Sequence, residues 1–265
     1  MAIGGVQNQH YQHAATVGRN TQQNYAKQLN SGRKQNSAAD GAAELAAAKL
    51  LEKQARGYQV GYNNQASGRD AINIADGAQA SINDYAQDIY ADSIRAMNGT
   101  MSADDRQAIQ NNVSQLTQGM NDVANNTRYN ETNLLKQDGN VNIVNDGEGT
   151  SQPVSTTNAT SSALGMNGYS VLNGTPNLDQ VNGAMSRVSR NRSINGAQSN
   201  ALEYGMNYNS IARENTIASE SRKADTDYAS TITNYRSRQT MDQYRLQMQR
   251  QQMMNMRTQN LGLLN

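Results

Sequence analysis

The chain has 265 residues, with 23 Lys and Arg against 22 Asp and Glu, a formal net charge of +1. With so balanced a surface no basic field gathers phosphates, which excludes a nucleic-acid binder as the leading class. Mean hydropathy is −0.83, and Phe and Trp are absent, which excludes a thick globular core and favours layers a few side chains wide. Cysteine is also absent, so neither disulfides nor thiolate metal sites are available.

The opening stretch MAIGGVQNQHYQH has no basic n-region and no apolar core, so no cleavable Sec signal peptide is expected there. No run approaches the roughly 18 apolar residues of a membrane span, and no membrane insertion is expected. Residues 1–34 are polar, with a faint helical stripe of Tyr11, Ala14, Thr21 and Tyr25 that needs help from a partner to stay ordered. His10 and His13 stand at i and i+3, but no carboxylate or third His lies near them, and they read as surface residues rather than metal ligands.

Gly32, among small polar neighbours, marks a break, and Ser37 or Asp40 is suited to cap the next helix. That helix is Ala-rich, from about Ala42 to Arg56, and around Gly57, Gly61 and Gly68 it is expected to loosen into a connection. A second helix carries Ala71, Ala75, Ala78, Ile82, Tyr85, Ile89, Asp92 and Ala96 at alternating spacings of three and four. Asn98-Gly99-Thr100 stops it, and Ser102 with Asp105 resembles a capping box that starts a third helix striped by Ile109, Val113, Leu116, Met120 and Val123.

Between Asp138 and Pro176 the composition turns to Gly, Asn, Ser and Thr, and both prolines lie here. The neighbourhoods of Val141 to Val144 and of Val154 predict short strands, with Asp146-Gly147 and Asn167-Gly168 as turns. From about Val181 a long helix begins. Ile194, Ala197, Ala201, Tyr204, Tyr208, Ile211, Asn215 and Ala218 form a seven-residue seam, which is expected to pair with the N-terminal helices. Tyr228, Ile232 and Tyr235 continue a stripe, followed by Met241, Tyr244, Met248, Met253, Met254 and Met256 among Gln and Arg. The chain closes with Leu261, Gly262, Leu263, Leu264 and Asn265. Such an exposed apolar tail calls for burial by another copy.

The run from Leu29 to Ala43, the Asn98-Gly99-Thr100 turn, the Asn125 to Asn130 segment, the Ala224 to Ala229 segment and the closing Asn260 to Leu264 resemble bacterial flagellin. The resemblance covers roughly residues 25–135 and 177–265. It departs in the Leu-poor first segment and in the very short middle. It implies a mainly α fold: a long antiparallel helical coiled-coil bundle of N- and C-terminal arms, with a small β-hairpin in the middle. The expected parts are 1–34, an inner-core helix; 35–137, half of an outer helical domain; 138–176, a hairpin and loop segment; 177–222, the other outer half; and 223–265, a second inner helix.

By the resemblance the chain is a structural subunit of the flagellar filament, secreted to the extracellular flagellum, with no enzymatic role and no cofactor. The partners implied are copies of itself, an export chaperone and the type III export apparatus, and hook-associated and cap proteins. Alternatives are a hook–filament junction protein and a coiled-coil surface protein unrelated to motility. Assembly and core stripes are expected at Ile82, Ile89, Ile109, Leu116, Met120, Ile194, Tyr204, Tyr208, Ile211, Tyr228, Ile232, Tyr235, Met248, Leu261, Leu263 and Leu264. The family's epitope for Toll-like receptor five aligns here with Asp88, Asp92 and Asn112 in place of its usual Arg, Leu and Glu, which implies weak or absent activation. Ser and Thr at 150–162 are equally suited to carry glycans or to be unmodified linker residues.

Overall fold

The computed structural model describes residues 3–262, with side-chain surroundings for residue 13 and for 16–258 except 256. Leu263 and Leu264 therefore lie outside the described residues, and Leu261 is placed only as part of a helix backbone. The elements in chain order are α1 (Ile3–Ser31), a 3-10 turn (Ala38–Asp40), α2 (Ala42–Ala96), α3 (Ala103–Asn126), β1 (Arg128–Tyr129), β2 (Thr132–Asn133), β3 (Gly139–Val144), β4 (Ser151–Thr156), α4 (Leu178–Ala224) and α5 (Tyr228–Gly262). The chain is mainly helical, with two small antiparallel hairpins, β1–β2 and β3–β4. It forms two compact units: residues up to Glu52 together with those from Asn215 on, and Lys53–Glu214.

In the central unit, Lys53–Glu214, α2 and α3 run antiparallel. Asn112 bonds Asp92, and Gly119 abuts the Tyr85 ring, so as one number rises the other falls. The core between them holds Ile82, Ile89, Ile109, Val113 and Met120, with Leu116 half-buried against it. Ser102 accepts from the Asp105 N–H, and the Asp105 carboxylate accepts from the Ser102 N–H and hydroxyl, a closed capping box. It satisfies donors that an α-helix start leaves unpaired.

Two expectations need correction, and one is extended. The glycines do not interrupt a helix: α2 runs unbroken through Gly57, Gly61 and Gly68. They lie on one face, at intervals of four and seven, and the β3–β4 hairpin rests in the notch they leave. A Cβ added at Gly61 would stand 1.8 Å from the Asn145 carbonyl oxygen, and one at Gly68 would stand 3.0 Å from Ile143. Each helical glycine costs about 1 kcal/mol relative to alanine, and close seating of the hairpin offsets that cost.

The second point concerns residues 157–177, the later part of the expected hairpin and loop segment. They form a strap that buries Ala159, Leu164, Met166, Tyr169 and Val171 in the α2–α3–α4 core. The strap is tied down where the Tyr169 hydroxyl bonds Ser93 Oγ, which itself donates to the Ile89 carbonyl at 2.6 Å. Burial pushes the Tyr169 phenol above its ordinary pKa, so it stays protonated.

The third concerns α4. Its inward face is Val181, Ala184, Val188, Asn195, Leu202, Met206 and Asn209, all buried. Ile194, Tyr204, Tyr208 and Ile211, the expected seam, are exposed instead, although the Tyr208 ring still meets Tyr58 of α2. The displacement has a polar cause. Asn195 Nδ2 donates to Gln79 Oε1 at 3.1 Å, and Asn209 Nδ2 donates to Gln65 Oε1 at 3.0 Å. Both amide pairs also reach the middle segment, through Gln79 to Thr157 and through Gln65 to Asn145. Ile72 and Leu202 are packed in one cluster midway between them. A helix-pair seam with amides seven residues on either side of an apolar layer is invisible to a search for apolar residues alone. It also blocks a one-heptad slip, which would set Ile72 against an amide.

In the other unit, α1 packs against α5 through small and polar residues: Gly18, Thr21 and Tyr25 on one side, Thr231, Tyr235 and Asp242 on the other. The two links in this unit are stitched together. Lys34 N donates to the Ala224 carbonyl at 2.7 Å and Thr226 N to the Gly32 carbonyl at 2.8 Å, around an Arg33–Asp225 bridge. Gly32, at φ +71, supplies the left-handed residue this turn requires.

Two measurements test this packing by urea unfolding. Gly61→Ala is expected to destabilise the chain by about 1–3 kcal/mol through overpacking, whereas Gly77→Ala, with open space around it, is expected to stabilise by up to about 1 kcal/mol. Gln79→Leu alone leaves the Asn195 amide buried and unpaired and is expected to cost about 1–3 kcal/mol, much of it recovered in the double variant with Asn195→Leu.

Candidate assembly surfaces

The outward face of α4 in the central unit carries Ile194, Tyr204, Tyr208 and Ile211. Tyr204 is 76% exposed, Tyr208 64% and Ile211 60%. Aromatic side chains are large amphipathic contact surfaces and are enriched where proteins meet. Tyr208 is held by an edge-to-face contact with Tyr58 of α2, their centroids 6.3 Å apart and their planes at 84°. Proximity of the two phenols and burial raise the Tyr58 pKa, desolvation being the larger cause. Tyr62 of α2 lines a small cavity with Asn209, Ser210 and Arg213 of α4.

In the α1–α5 unit, the apolar residues of α5 are also largely exposed. Met241, Tyr244, Leu246, Met248, Met253 and Met254 are all exposed, as are Tyr228 and Ile232; Tyr235 is half-buried against α1. So Tyr228 and Ile232 are not core residues of this unit, because α5 turns its Thr231 and Tyr235 side inward. A groove of about 760 Å3 runs beside Arg19 and Gln22 of α1 and is floored by Met241, Tyr244, Leu246 and Met248 of α5. Methionine is unbranched and polarisable, so such a floor adapts to partners that differ slightly in position.

The three positions aligned with the receptor epitope are not equivalent. Asp88 is exposed, whereas Asp92 is buried. Its carboxylate accepts from Asn112 Nδ2 and pairs with Arg95 at 2.6 Å. The polar groups at Asp92 and Asn112 thus satisfy each other across the α2–α3 seam. Nothing at the level of single residues marked this pair; the signal is the antiparallel spacing around the Asn98-Gly99 turn.

Among the described residues no three His, Cys, Asp or Glu side chains converge on a metal site, and no helix is long and apolar enough to cross a membrane. The carboxylates with lowered pKa values are structural. Asp40 is held down by the Ser37 hydroxyl and by the Asn36 and Ser37 amides, Asp105 by the Ser102 hydroxyl and amide. Asp146, in the β3–β4 turn, is held down by the Thr150 hydroxyl and by neighbouring amides.

Stacked helical arms, close-seated hairpin and outward apolar stripes define a structural subunit built to lie beside other helices. The comparisons with known proteins agree. Residues 6–140 match the model of the bacterial flagellin N-terminal helical region. The chain is 30% identical to the flagellar filament core protein flaB2 of Brachyspira hyodysenteriae, over 83% of this chain and 84% of that protein. It is 29% identical to the flagellar filament 33 kDa core protein of Treponema phagedenis, over 82% and 83% respectively. The crystal structure of Bacillus cereus flagellin superposes with a TM-score of 0.48 at 19% identity, over 56% of this chain and 88% of that one. The chain belongs to the bacterial flagellin family.

The lowered carboxylates set an acid limit. A group whose folded pKa lies below its ordinary 3.8 contributes stability that is fully present above 3.8 and is lost as pH falls through the folded value. The helix starts at Asp40 and Asp105 and the Asp146 turn are therefore expected to loosen only below that pH. Carboxylate titration by NMR checks this, and in Ser102→Ala the Asp105 pKa is expected to return towards 3.8.

Proposed function

We propose that this chain polymerises as a core subunit of the flagellar filament, and that it works by packing rather than by catalysis. The observation that carries the reading is the placement of Tyr204, Tyr208 and Ile211 on α4 and of Tyr244, Met248 and Met254 on α5, all turned outward from a chain otherwise poor in large apolar residues. Leaving that area in water is unfavourable, and burying it against sister copies removes the cost. The relatives it matches along most of their length are named filament core proteins, and the short hairpin segment suits a slim filament without large outer domains.

The remaining partners follow from the family. α5, with five Arg and a row of Met, is suited to capture by an export chaperone before passage through the type III apparatus. The ends of the filament would meet hook-associated and cap proteins, and the subunit's place would be the extracellular flagellum. Activation of Toll-like receptor five should be weak, because Asp88 reverses the usual charge and Asp92 is committed to Arg95 and Asn112. Reporter cells exposed to the purified subunit are expected to stay near baseline; potent activation would reject this part of the reading.

Polymerisation followed by sedimentation and electron microscopy tests the main claim. Tyr204→Glu combined with Ile211→Glu is expected to leave the unfolding free energy of the single chain within about 0.5 kcal/mol of the parent. The same substitutions are expected to raise the concentration needed for filaments by about tenfold or more. Filaments forming equally well from this variant would place the subunit interface elsewhere.

A further inference from the structure

The chain contains five Asn-Gly pairs: Asn98-Gly99, Asn167-Gly168, Asn173-Gly174, Asn182-Gly183 and Asn195-Gly196. Asn-Gly is the dipeptide in which a backbone N–H meets the least steric resistance in approaching the preceding side chain, since glycine has no Cβ. The structure presents the five in different states. Asn182 and Asn195 lie inside α4, where the following N–H is held in the helix ladder, and Asn195 is buried and bonded to Gln79. At Asn173 the side-chain oxygen accepts from Thr175 N, but Gly174 N is engaged with the Val171 carbonyl. At Asn167 the carboxamide nitrogen donates to Ser162 Oγ.

Asn98 alone combines three favourable features. Its side-chain oxygen accepts two hydrogen bonds, from Thr100 N at 3.1 Å and Thr100 Oγ1 at 3.0 Å. The Asx turn so formed lays the carboxamide over the Gly99–Thr100 peptide. Asn98 and Gly99 are both exposed, and nothing stands within 4 Å of where a Gly99 Cβ would be. The two donors polarise the carboxamide carbonyl and are placed to stabilise negative charge developing on its oxygen, as an oxyanion hole does.

We propose that Asn98 is a built-in site of self-modification, which deamidates in the folded chain ahead of the other four pairs. Gly99 N loses its proton to water and attacks Asn98 Cγ; the new N–Cγ bond forms, the Cγ–Nδ2 bond breaks, and the nitrogen leaves as ammonia. Water then opens the five-membered imide at either carbonyl. The product is Asp at 98, or isoaspartate, in which the main chain runs through the former side chain. No oxidant, metal or enzyme is required. Either product puts a new carboxylate at the α2–α3 corner, four residues before the Ser102 cap.

The test is peptide mass spectrometry on the full chain kept folded in mildly alkaline buffer, following the conversion of amide to acid at each pair over time. Asn98 is expected to convert at least about tenfold faster than Asn182 or Asn195, whose glycine N–H must first escape the helix, and faster than Asn167 and Asn173. In the urea-unfolded chain the five rates are expected to converge, which assigns the ranking to the fold. Thr100→Val, which removes one donor to the Asn98 oxygen, is expected to slow conversion at 98 while leaving the other sites unchanged. The proposal is overturned if Asn98 is no faster than the two helical pairs, if Asn167 or Asn173 leads, or if the same ranking persists in urea.

Discussion

The structure of the central unit depends on how closely backbone can approach one face of α2. Three glycines and two glutamines lie along that face, and the larger residues of this stretch, such as Val60, are turned out to solvent. Because the glycines carry no side chain, the β3–β4 hairpin comes down onto the helix itself, with Asn64 Nδ2 bonding the Val144 carbonyl at 3.1 Å. Because Gln65 and Gln79 reach both α4 and the middle segment, three parts of the chain far apart in sequence meet at two amide layers. The buried amides act as locators: each is satisfied in one register and left unpaired in the neighbouring ones.

This arrangement explains which parts of the fold were legible in the sequence. The α2–α3 hairpin was, because Ile82, Ile89, Ile109 and Val113 recur at helical spacing and Asn98-Gly99 punctuates them. The β3–β4 hairpin was, because Val141, Ile143 and Val154 alternate around Asp146-Gly147. The α4 seam was not. Tyr204, Tyr208 and Ile211 are the larger and more apolar set, and reading for hydrophobic periodicity selects them over Asn195, Leu202 and Asn209. The winning face is the one whose amides find partners, and that depends on Gln65 and Gln79, which lie more than a hundred residues earlier. The glycine notch was misread for a related reason: Gly57, Gly61 and Gly68 look like breakers one at a time and like a single groove only when their common face is considered.

The misplacement of the seam is itself informative about assembly. Two apolar faces compete for α4, and the chain uses the thinner one internally. The thicker face, with its tyrosines, remains outward, and α5 repeats the pattern by turning Thr231 and Tyr235 towards α1 and its methionines away. On α4 beside the amide layers and on α5, the internal face is the smaller or more polar one, and the large tyrosines and methionines stay exposed. A flagellin chain whose single-copy contacts are modest and whose outward surface is rich in aromatic and Met side chains is arranged to be completed by its neighbours.

The amide layers also bear on how this protein responds to temperature. Opening the α2–α4 seam exposes paired carboxamides and glycine backbone beside its Ile72–Leu202 layer, so it wets less hydrocarbon than an all-apolar seam would, and newly hydrated polar groups lower the heat capacity whereas apolar ones raise it. The increment on unfolding should therefore fall below the roughly 12–15 cal/mol/K per residue of ordinary globules. A small increment gives a shallow, broad stability curve, so the subunit would lose little of its folding free energy between cold and warm surroundings.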